Sequence, residues 1–482
     1  MLKKLVELFE QWSGEKLTSS EELTQAGSNR RYFRLRSNNH VAVGCHGENV
    51  KENRTFIYLS QIFKNQNINT PAVLAVSSCE GYYLQEDLGS TSLFQLIENG
   101  RSTGVFSDVE KFALRAAISA LPQLQFEGVK AVDFSKCYPQ AELDRRTVMW
   151  DLSYFKYYFL KPQIQDVDEL KLEVDFETFA GSICAEKNSC FLLRDFQSRN
   201  VMWHNDQPWF IDFQGGRKGM PHYDVASFLY QAKANFPDEL RTKLLEAYLQ
   251  AAAKYVSINA AGFAKRLPIF VLLRTLQVLG AYGFRGYFER KAHFLQSVPF
   301  AIENLKLLLL KSEVEELNIP YLRELLVQLT KKKYATAHKS GRLCVTVTSF
   351  SFLKGIPEDV SGNGGGFVFD CRGIVNPGRT EEYKFLTGLD EPVIKFIESN
   401  NQMADFLTNA YSLVDNAVER YTARGFSNLM VSFGCTGGQH RSVYSAQHLA
   451  EHLHAKFPSI EVELCHREQK ISSNFSWNLS DY

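Results

Sequence analysis

Arg194-Asp195-Phe196-Gln197-Ser198-Arg199-Asn200 follows the apolar run Phe191-Leu192-Leu193, and Phe210-Ile211-Asp212-Phe213 follows soon after. An aspartate with an asparagine five positions on, held on a loop between apolar strands, suits phosphoryl transfer. The aspartate accepts the proton of an attacking hydroxyl, and the asparagine holds a magnesium ion. Asp212 ends an apolar strand, where a second metal-ligating carboxylate belongs. Two ligands beside a base neutralise the charge on a transferring phosphoryl group. Asp195 is therefore the candidate base, Asn200 and Asp212 the candidate ligands of Mg2+, and ATP the candidate donor. Either aspartate alone is a common turn residue. Their order and spacing favour the chemical reading.

A second constellation is Val431-Ser432-Phe433-Gly434-Cys435-Thr436-Gly437-Gly438-Gln439-His440-Arg441-Ser442-Val443-Tyr444. It joins an expected strand to an expected helix. Glycines let backbone amides converge and the helix N-terminus adds positive potential, so the turn suits an anion. His440 and Arg441 add donors. Cys435, Gly438, Arg441 and Ser442 also fit a Cys-x-x-Gly-x-x-Arg-Ser pattern, in which a thiolate attacks a cradled phosphate. A cysteine phosphatase is thus an alternative activity.

These residues need elements to hold them. Residues 33–36 and 41–43 alternate as paired strands across Ser37-Asn38-Asn39, and 55–63 has helical spacing. Residues 71–76 and 81–85 form another strand pair. From 92 to about 255 the pattern is mostly helical, with a strand-rich island at 191–214, and 264–329 is strongly helical. The basic, weakly periodic stretch 331–341 is the expected linker. Beyond it, strands at 342–349, 367–370, 429–433 and 461–465 alternate with helices at 391–424 and 441–457. Gly362-Asn363-Gly364-Gly365-Gly366 is an expected flexible loop. The fold class is α/β: a mixed helix and sheet unit at 1–330, then a smaller α/β domain at 342–482.

The 482 residues exceed one ordinary core. Lysine plus arginine and aspartate plus glutamate are 54 each, so no global field draws the chain to nucleic acid or membrane. Nine scattered cysteines with no CxxC fit a reducing cytoplasm better than a disulfide framework. The N-terminus alternates as an amphipathic helix. No apolar run approaches the roughly 20 residues that span a bilayer, so no membrane partner is expected.

The first part resembles the aminoglycoside phosphotransferase and choline kinase group, and within it the bacterial anomeric N-acetylmuramate/N-acetylglucosamine kinases. The carrying text is Gly27-Ser28-Asn29-Arg30-Arg31-Tyr32-Phe33-Arg34-Leu35, Leu84-Gln85-Glu86-Asp87-Leu88-Gly89, residues 194–200, Ile211-Asp212-Phe213-Gln214 and Tyr223-Asp224-Val225-Ala226-Ser227. The resemblance implies a bilobal α+β kinase fold over residues 1–330, with a small lobe at 1–90 and a large lobe at 91–330. Ser28, Asn29, Arg30 and Arg34 would lie at the nucleotide phosphates. Gln85, Glu86 and Leu88 would form the hinge at adenine, and Asp224 would be a buried structural carboxylate. Arg194, Trp150, Asp151 and Arg274 are the candidate acceptor-binding residues, with Tyr154, Gln277 and Tyr282 beside them. Two positions depart from the group. Leu193 stands where histidine is usual, and the strand His40-Val41-Ala42-Val43-Gly44-Cys45 lacks the phosphate-holding lysine. Arg34 or Lys51 are the substitutes in view. A non-catalytic adapter is the alternative that this gap supports.

The later part resembles the C-terminal domain of the RNase adapter protein RapZ. Thr348-Ser349-Phe350-Ser351-Phe352-Leu353-Lys354-Gly355-Ile356-Pro357, Phe369-Asp370-Cys371-Arg372-Gly373-Ile374-Val375-Asn376-Pro377, Leu386-Thr387-Gly388-Leu389-Asp390, residues 434–444 and Cys465-His466-Arg467 carry it. The resemblance implies binding of an amino-sugar phosphate such as glucosamine-6-phosphate. Its phosphate would lie on Cys435, Thr436, Gly437, Gly438, His440, Arg441 and Ser442, with Asp370, Arg372 and Asn376 near the sugar. It also implies RNA or protein partners. However, residues 341–482 carry 12 lysines and arginines against 16 aspartates and glutamates, which opposes RNA unless the linker lysines help. The family's GxxxxGK[ST] motif is absent. The combined expectation is a kinase for an amino sugar or cell-wall sugar, joined to a sugar-phosphate sensor, with homo-oligomer formation left open.

Overall fold

The computed structural model of the chain describes residues 1–23, 30–289, 291–332, 334, 342–357, 359, 365–399, 401–426 and 428–475. Ser28, Asn29, most of the expected linker and most of the glycine-rich loop at 362–366 lie outside the described residues. The chain divides into two units, Met1–Ala281 with Phe300–Lys332, and Tyr282–Pro299 with Lys333–Tyr482. Tyr282–Pro299 thus falls in the second unit.

The first unit opens with helix α1 (Leu2–Ser13) and the strands β1 (Ser19–Leu23), β2 (Arg31–Arg36) and β3 (Val41–His46). Helix α2 (Val50–Asn65) and strands β4 (Val73–Val76) and β5 (Tyr82–Gln85) follow. The strands form one antiparallel sheet in the order β1-β2-β3-β5-β4. Alternation gives the sheet two faces. Phe33, Leu35, Ala42 and Leu84 pack on Leu5 and Phe9 of α1. On the other face Tyr32 stands opposite Cys45, and Cys45 opposite Tyr83. Phe56 of α2 stacks on the Tyr83 ring at 5.1 Å.

The rest of this unit is mainly helical. Strand β6 (Cys190–Leu192) later pairs with β9 (Arg217–Gly219), and between them β7 (Val201–His204) and β8 (Gln207–Phe210) form a hairpin. Its turn residues Asn205 and Asp206 both have positive φ, as a two-residue hairpin turn requires. Helix Ala260–Gly283 buries Phe270, Val271, Leu272, Leu273, Leu276 and Leu279. The continuous helical stretch Ala260–Phe288 is long and apolar enough to cross a membrane, and 67% of its most apolar window is buried inside the protein. Composition judged by unbroken apolar runs did not reveal it, because Arg274 and Gln277 interrupt them.

In the second unit β10 (Cys344–Ser351), β11 (Phe367–Asp370), β12 (Asn428–Cys435) and β13 (Glu461–His466) run parallel, with β14 (Ile471–Phe475) antiparallel at one edge. The order is β11-β12-β10-β13-β14. Helices Glu391–Glu398, Gln402–Ala423 and Arg441–Lys456 supply Val393, Val414, Leu449 and Leu453 to a core shared with Val345, Val347, Val431 and Phe433. The glycine-rich turn leaves the carboxyl end of β12, where open parallel sheets place their ligands. The expected α/β class, two-part and mixed in helix and sheet, is the class observed.

Candidate active site

The loop after β6 is built around a buried carboxylate. Asp224, on helix Pro221–Leu229, accepts the N–H of Leu193 at 2.8 Å and of Arg194 at 2.9 Å. Burial pushes its pKa up to about 7, against the pull of those two donors. Arg194 has φ +73, a strained conformation for a residue with a side chain. The Asp224 clamp holds it there, and its guanidinium is tied to Asp151 at 2.8 Å. Phe196 anchors the loop by stacking on Phe228 at 4.7 Å. Asp195 is left with its side chain about one-third exposed, at 35%.

Asn200 links the two aspartates. Its Nδ2 donates to the Asp195 carbonyl at 2.8 Å and lies 3.4 Å from both Asp195 Oδ2 and Asp212 Oδ2. Asp212, at φ +62, accepts from Gln214 Nε2 at 2.6 Å. The next ring, Phe213, stacks on Phe56 at 4.7 Å, which fixes this segment against α2. Burial and then the neighbouring Asp195 charge raise the pKa of Asp212. A divalent cation would relieve that repulsion. With its Nδ2 committed to a carbonyl, Asn200 keeps Oδ1 as a ligand oxygen. No trio of His, Cys, Asp or Glu gathers among the described residues. Magnesium needs only one or two carboxylates together with substrate phosphates, so Asn200 and Asp212 fit it.

Arg274 reaches the same centre. Its Nη2 donates to Asp195 Oδ1, its Nη1 to Gln277 Oε1, and its Nε to Ser227 Oγ at 3.0 Å. Arg199 lies 3.6 Å from Asp195 Oδ2. Helix Ala260–Gly283 can approach because Gly280 has no side chain. A Cβ there would sit 2.9 Å from the Phe155 nitrogen. Thus Arg194, Asp151 and Arg274 converge near Asp195. Trp150 does not join them; it is 47% exposed, with the Arg146 guanidinium 5.0 Å from its ring.

On the small-sheet side, Gln85 ends β5 and Leu88 is buried. Glu86 N–H donates to the Ala72 carbonyl at 2.9 Å. Arg34 is a two-pronged partner of Asp87, at 2.7 and 3.0 Å, and donates to the Gly89 carbonyl at 2.8 Å. Its guanidinium thereby braces the segment 87–89. Lys51 stands over the Tyr138 ring at 6.0 Å. Arg30 is buried, 3.6 Å from Glu52. Glu52 escaped the sequence reading, which named Gln214 and Ser227 within the resemblance but gave them no role. For Glu52 a signal existed, an acidic residue in the first turn of the helix after β3.

In the second unit the glycine-rich turn is fastened on both sides. Ser351 Oγ donates to the Thr436 carbonyl at 2.6 Å, and Gln469 Nε2 to the Gly438 carbonyl at 3.1 Å. Gln439 Nε2 donates to the Lys384 and Leu386 carbonyls. Arg441 Nη1 donates to the carbonyls of Arg372 and Ile374 at 3.0 and 2.7 Å, and His440 Nε2 to that of Tyr383 at 2.8 Å. These two side chains hold neighbouring loops beside the turn. Asp370 and Arg372 pair with each other on the surface, and Asn376 Oδ1 accepts from the Gly378 N–H. Cys435 Sγ lies 3.1 Å from Ser442 Oγ. Burial alone would raise its pKa. The Ser442 hydroxyl and the N–H groups of Ser442, Gln439 and Gly438 outweigh that and lower it. Those converging donors are the electrostatics of an anion site. Glu468, which sequence reasoning passed over, accepts from Ser351 N and Lys354 Nζ beneath the turn.

A loop carboxylate, a second carboxylate joined to it by an amide, and a small antiparallel sheet with a helical body fit a phosphotransferase of the kinase-like type. Residues 21–263, just over half of the chain, match the phosphotransferase enzyme family, and the chain belongs to it. Residues 343–470 match the RapZ C-terminal domain. Similar curated proteins include a nucleotide-binding protein of Histophilus somni, 34% identical over 132 residues, which are 27% of this chain and 44% of that protein. Another is a nucleotide-binding protein of Idiomarina loihiensis, 36% identical over 149 residues, 31% of this chain and 50% of that one. The chain thus spans about half the length of the curated relatives it matches. Among solved structures, a choline kinase from Cryptosporidium parvum is 14% identical with TM-score 0.42, over 64% of this chain and 93% of that one. A choline kinase from Streptococcus pneumoniae is 13% identical with TM-score 0.42, over 64% and 98%.

Proposed function

We propose that the first unit transfers a phosphoryl group from ATP to a hydroxyl of an amino sugar or cell-wall sugar. The single observation that carries this is the Asn200 amide lying between Asp195 and Asp212. Asp195 takes the proton of the acceptor hydroxyl, and Arg274 holds the carboxylate in place for it. Asp224 and Asp151 fix the loop through Arg194. Asn200 and Asp212 would hold magnesium, which when bound would supply positive charge to the transferring group. Arg194, Asp151 and Arg274 give the acceptor polar contacts, as sugar hydroxyls require.

The second unit, at 342–482 in this reading, binds an amino-sugar phosphate and reports on the same pathway. The kinase then occupies 1–330 and the linker 331–341, in the cytoplasm. Support comes from the donors that converge on Cys435 and from the match at 343–470. A cysteine phosphatase is the weaker reading, because Arg441 Nη1 is turned onto two backbone carbonyls.

The test is to incubate the full chain with ATP, magnesium and a panel of amino sugars, and to seek a sugar one phosphoryl group heavier by mass spectrometry. Product from an amino sugar supports the reading. ATP binding with no product from any hydroxyl acceptor would favour a binding-only adapter.

A further inference from the structure

The cation that usually steadies the donor phosphates in kinases is a lysine on the third strand, ion-paired to a glutamate on the following helix. Here β3 offers none. Its inward positions are Val43 and Cys45, and Cys45 is a fully buried thiol. Resting on the kinase reading above, we infer that Arg30 takes over this work, holding the donor phosphates while anchored by Glu52.

Strand periodicity puts Arg30 on the correct face. Residues 30, 32 and 34 share one side of β2 and its approach. Tyr32 is registered opposite Cys45, the inward residue of β3. This face meets α2 and the Phe213 segment, through Tyr83 on Phe56 and Phe56 on Phe213. The Arg30 side chain is 4% exposed, and its Nη2 lies 3.6 Å from Glu52 Oε2 in the first turn of α2. Tyr83, Tyr32 and Cys45 surround it. A helix glutamate is thus its partner, on the face that meets the segment next to Asp212. The arrangement reproduces a strand lysine and helix glutamate from a different strand.

The competing cations are engaged elsewhere. Arg34 is bound at both prongs by Asp87 and braces the segment 87–89. Lys51 stands over Tyr138. A guanidinium also suits the role chemically, since its planar fork matches phosphate oxygens and stays charged when buried.

The experiment measures binding of ATP and of adenosine to the full chain by calorimetry, in magnesium. Arg30→Ala should weaken ATP by about 10- to 100-fold, the loss of a charge-assisted contact, and leave adenosine within about twofold. Arg30→Lys should recover part of the loss. Glu52→Gln, at a side chain about one-third exposed, should weaken ATP by less than Arg30→Ala does. Lys51→Ala should change neither ligand. Unchanged ATP affinity in Arg30→Ala, or an equal loss for adenosine, overturns the role of Arg30 while the kinase reading stands. An unaltered chain that binds no ATP overturns both.

Discussion

Arg274 Nη2 donates to Asp195 Oδ1 across 79 residues of chain, so helix Ala260–Gly283 holds the proposed base directly. The same guanidinium is held by Ser227 and Gln277. Removing it frees the Asp195 rotamer. Arg274→Ala should lower kcat by roughly 10- to 100-fold, the size of effect expected when a reacting group is misplaced by about an ångström. The KM for ATP should change little. Steady-state kinetics with ATP and acceptor varied separately check this. A large rise in the KM for ATP with kcat intact would place Arg274 at the donor.

Asn200 and Asp212 should separate from Asp195 by their magnesium dependence. Asn200→Ala leaves the base but removes one ligand oxygen. It should raise the magnesium concentration needed for half-maximal rate several-fold, because one of two protein ligands is lost. Asp212→Asn should go further, abolishing measurable turnover. Rate against free magnesium in both variants is the measurement. An Asn200→Ala protein with an unchanged magnesium requirement would remove Asn200 from the metal site.

Burial of His222 should make stability depend on pH. The imidazole is buried between the rings of Phe263, at 3.8 Å, and Phe270, at 4.8 Å. Burial, and then Arg266, lower its pKa from 6.5 to about 3. The folded state therefore prefers neutral His222. Its contribution is fully present above pH 6.5 and is lost as pH falls towards 3. Going from pH 7 to pH 5 should cost about 2 kcal/mol through this group. Asp224, raised to about 7, acts with the opposite sign between roughly pH 4 and 7. The readout is therefore the difference between the unaltered chain and His222→Phe in urea unfolding at pH 5 and 7. The variant should lose less stability at pH 5 by about that amount; equal losses would contradict a neutral buried imidazole.

The glycine-rich turn has one glycine that cannot change and one that can. Gly438 has φ +68, and a Cβ there would lie 2.5 Å from Glu468 Cγ, 2.7 Å from the Ser351 nitrogen and 2.9 Å from the Phe350 carbonyl carbon. Two of those neighbours are backbone. Gly438→Ala should destabilise the second unit by about 2–4 kcal/mol. It should also remove the thermal stabilisation given by an amino-sugar phosphate. Gly437 meets nothing within 4 Å, so Gly437→Ala should change stability by less than about 1 kcal/mol. Melting of both variants with and without glucosamine-6-phosphate checks the pair. A Gly438→Ala chain that melts like the unaltered one would show that the turn has room.

Strands and helices with strong alternation were legible in the residues. The spacing of Asp195, Asn200 and Asp212 also singled out three side chains that the fold brings together. Strands β1 and β14 were not, since their polar, exposed residues at a sheet edge leave no apolar alternation to detect. Among the described residues, the three helical stretches with wider hydrogen-bonded turns, Gln123–Glu127, Lys156–Leu160 and Phe284–Phe288, were hidden because helical spacing looks the same through them. Contacts between distant residues were invisible for another reason. Arg274 on Asp195, Arg30 on Glu52 and Arg441 on the Arg372 carbonyl depend on how elements pack, and sequence spacing carries no record of that. Arg34 shows the same limit, since only its place beside Asp87 marks it as a brace.

The central claim is that Asp195 is the base of a phosphotransferase. The most direct measurement is ATP consumption on adding N-acetylglucosamine or N-acetylmuramate, in the unaltered chain and in Asp195→Asn. The account predicts acceptor-dependent consumption that falls by roughly 10²- to 10⁴-fold in the variant, the contribution of a positioned base, while ATP affinity is retained. Equal consumption by the two proteins would contradict it.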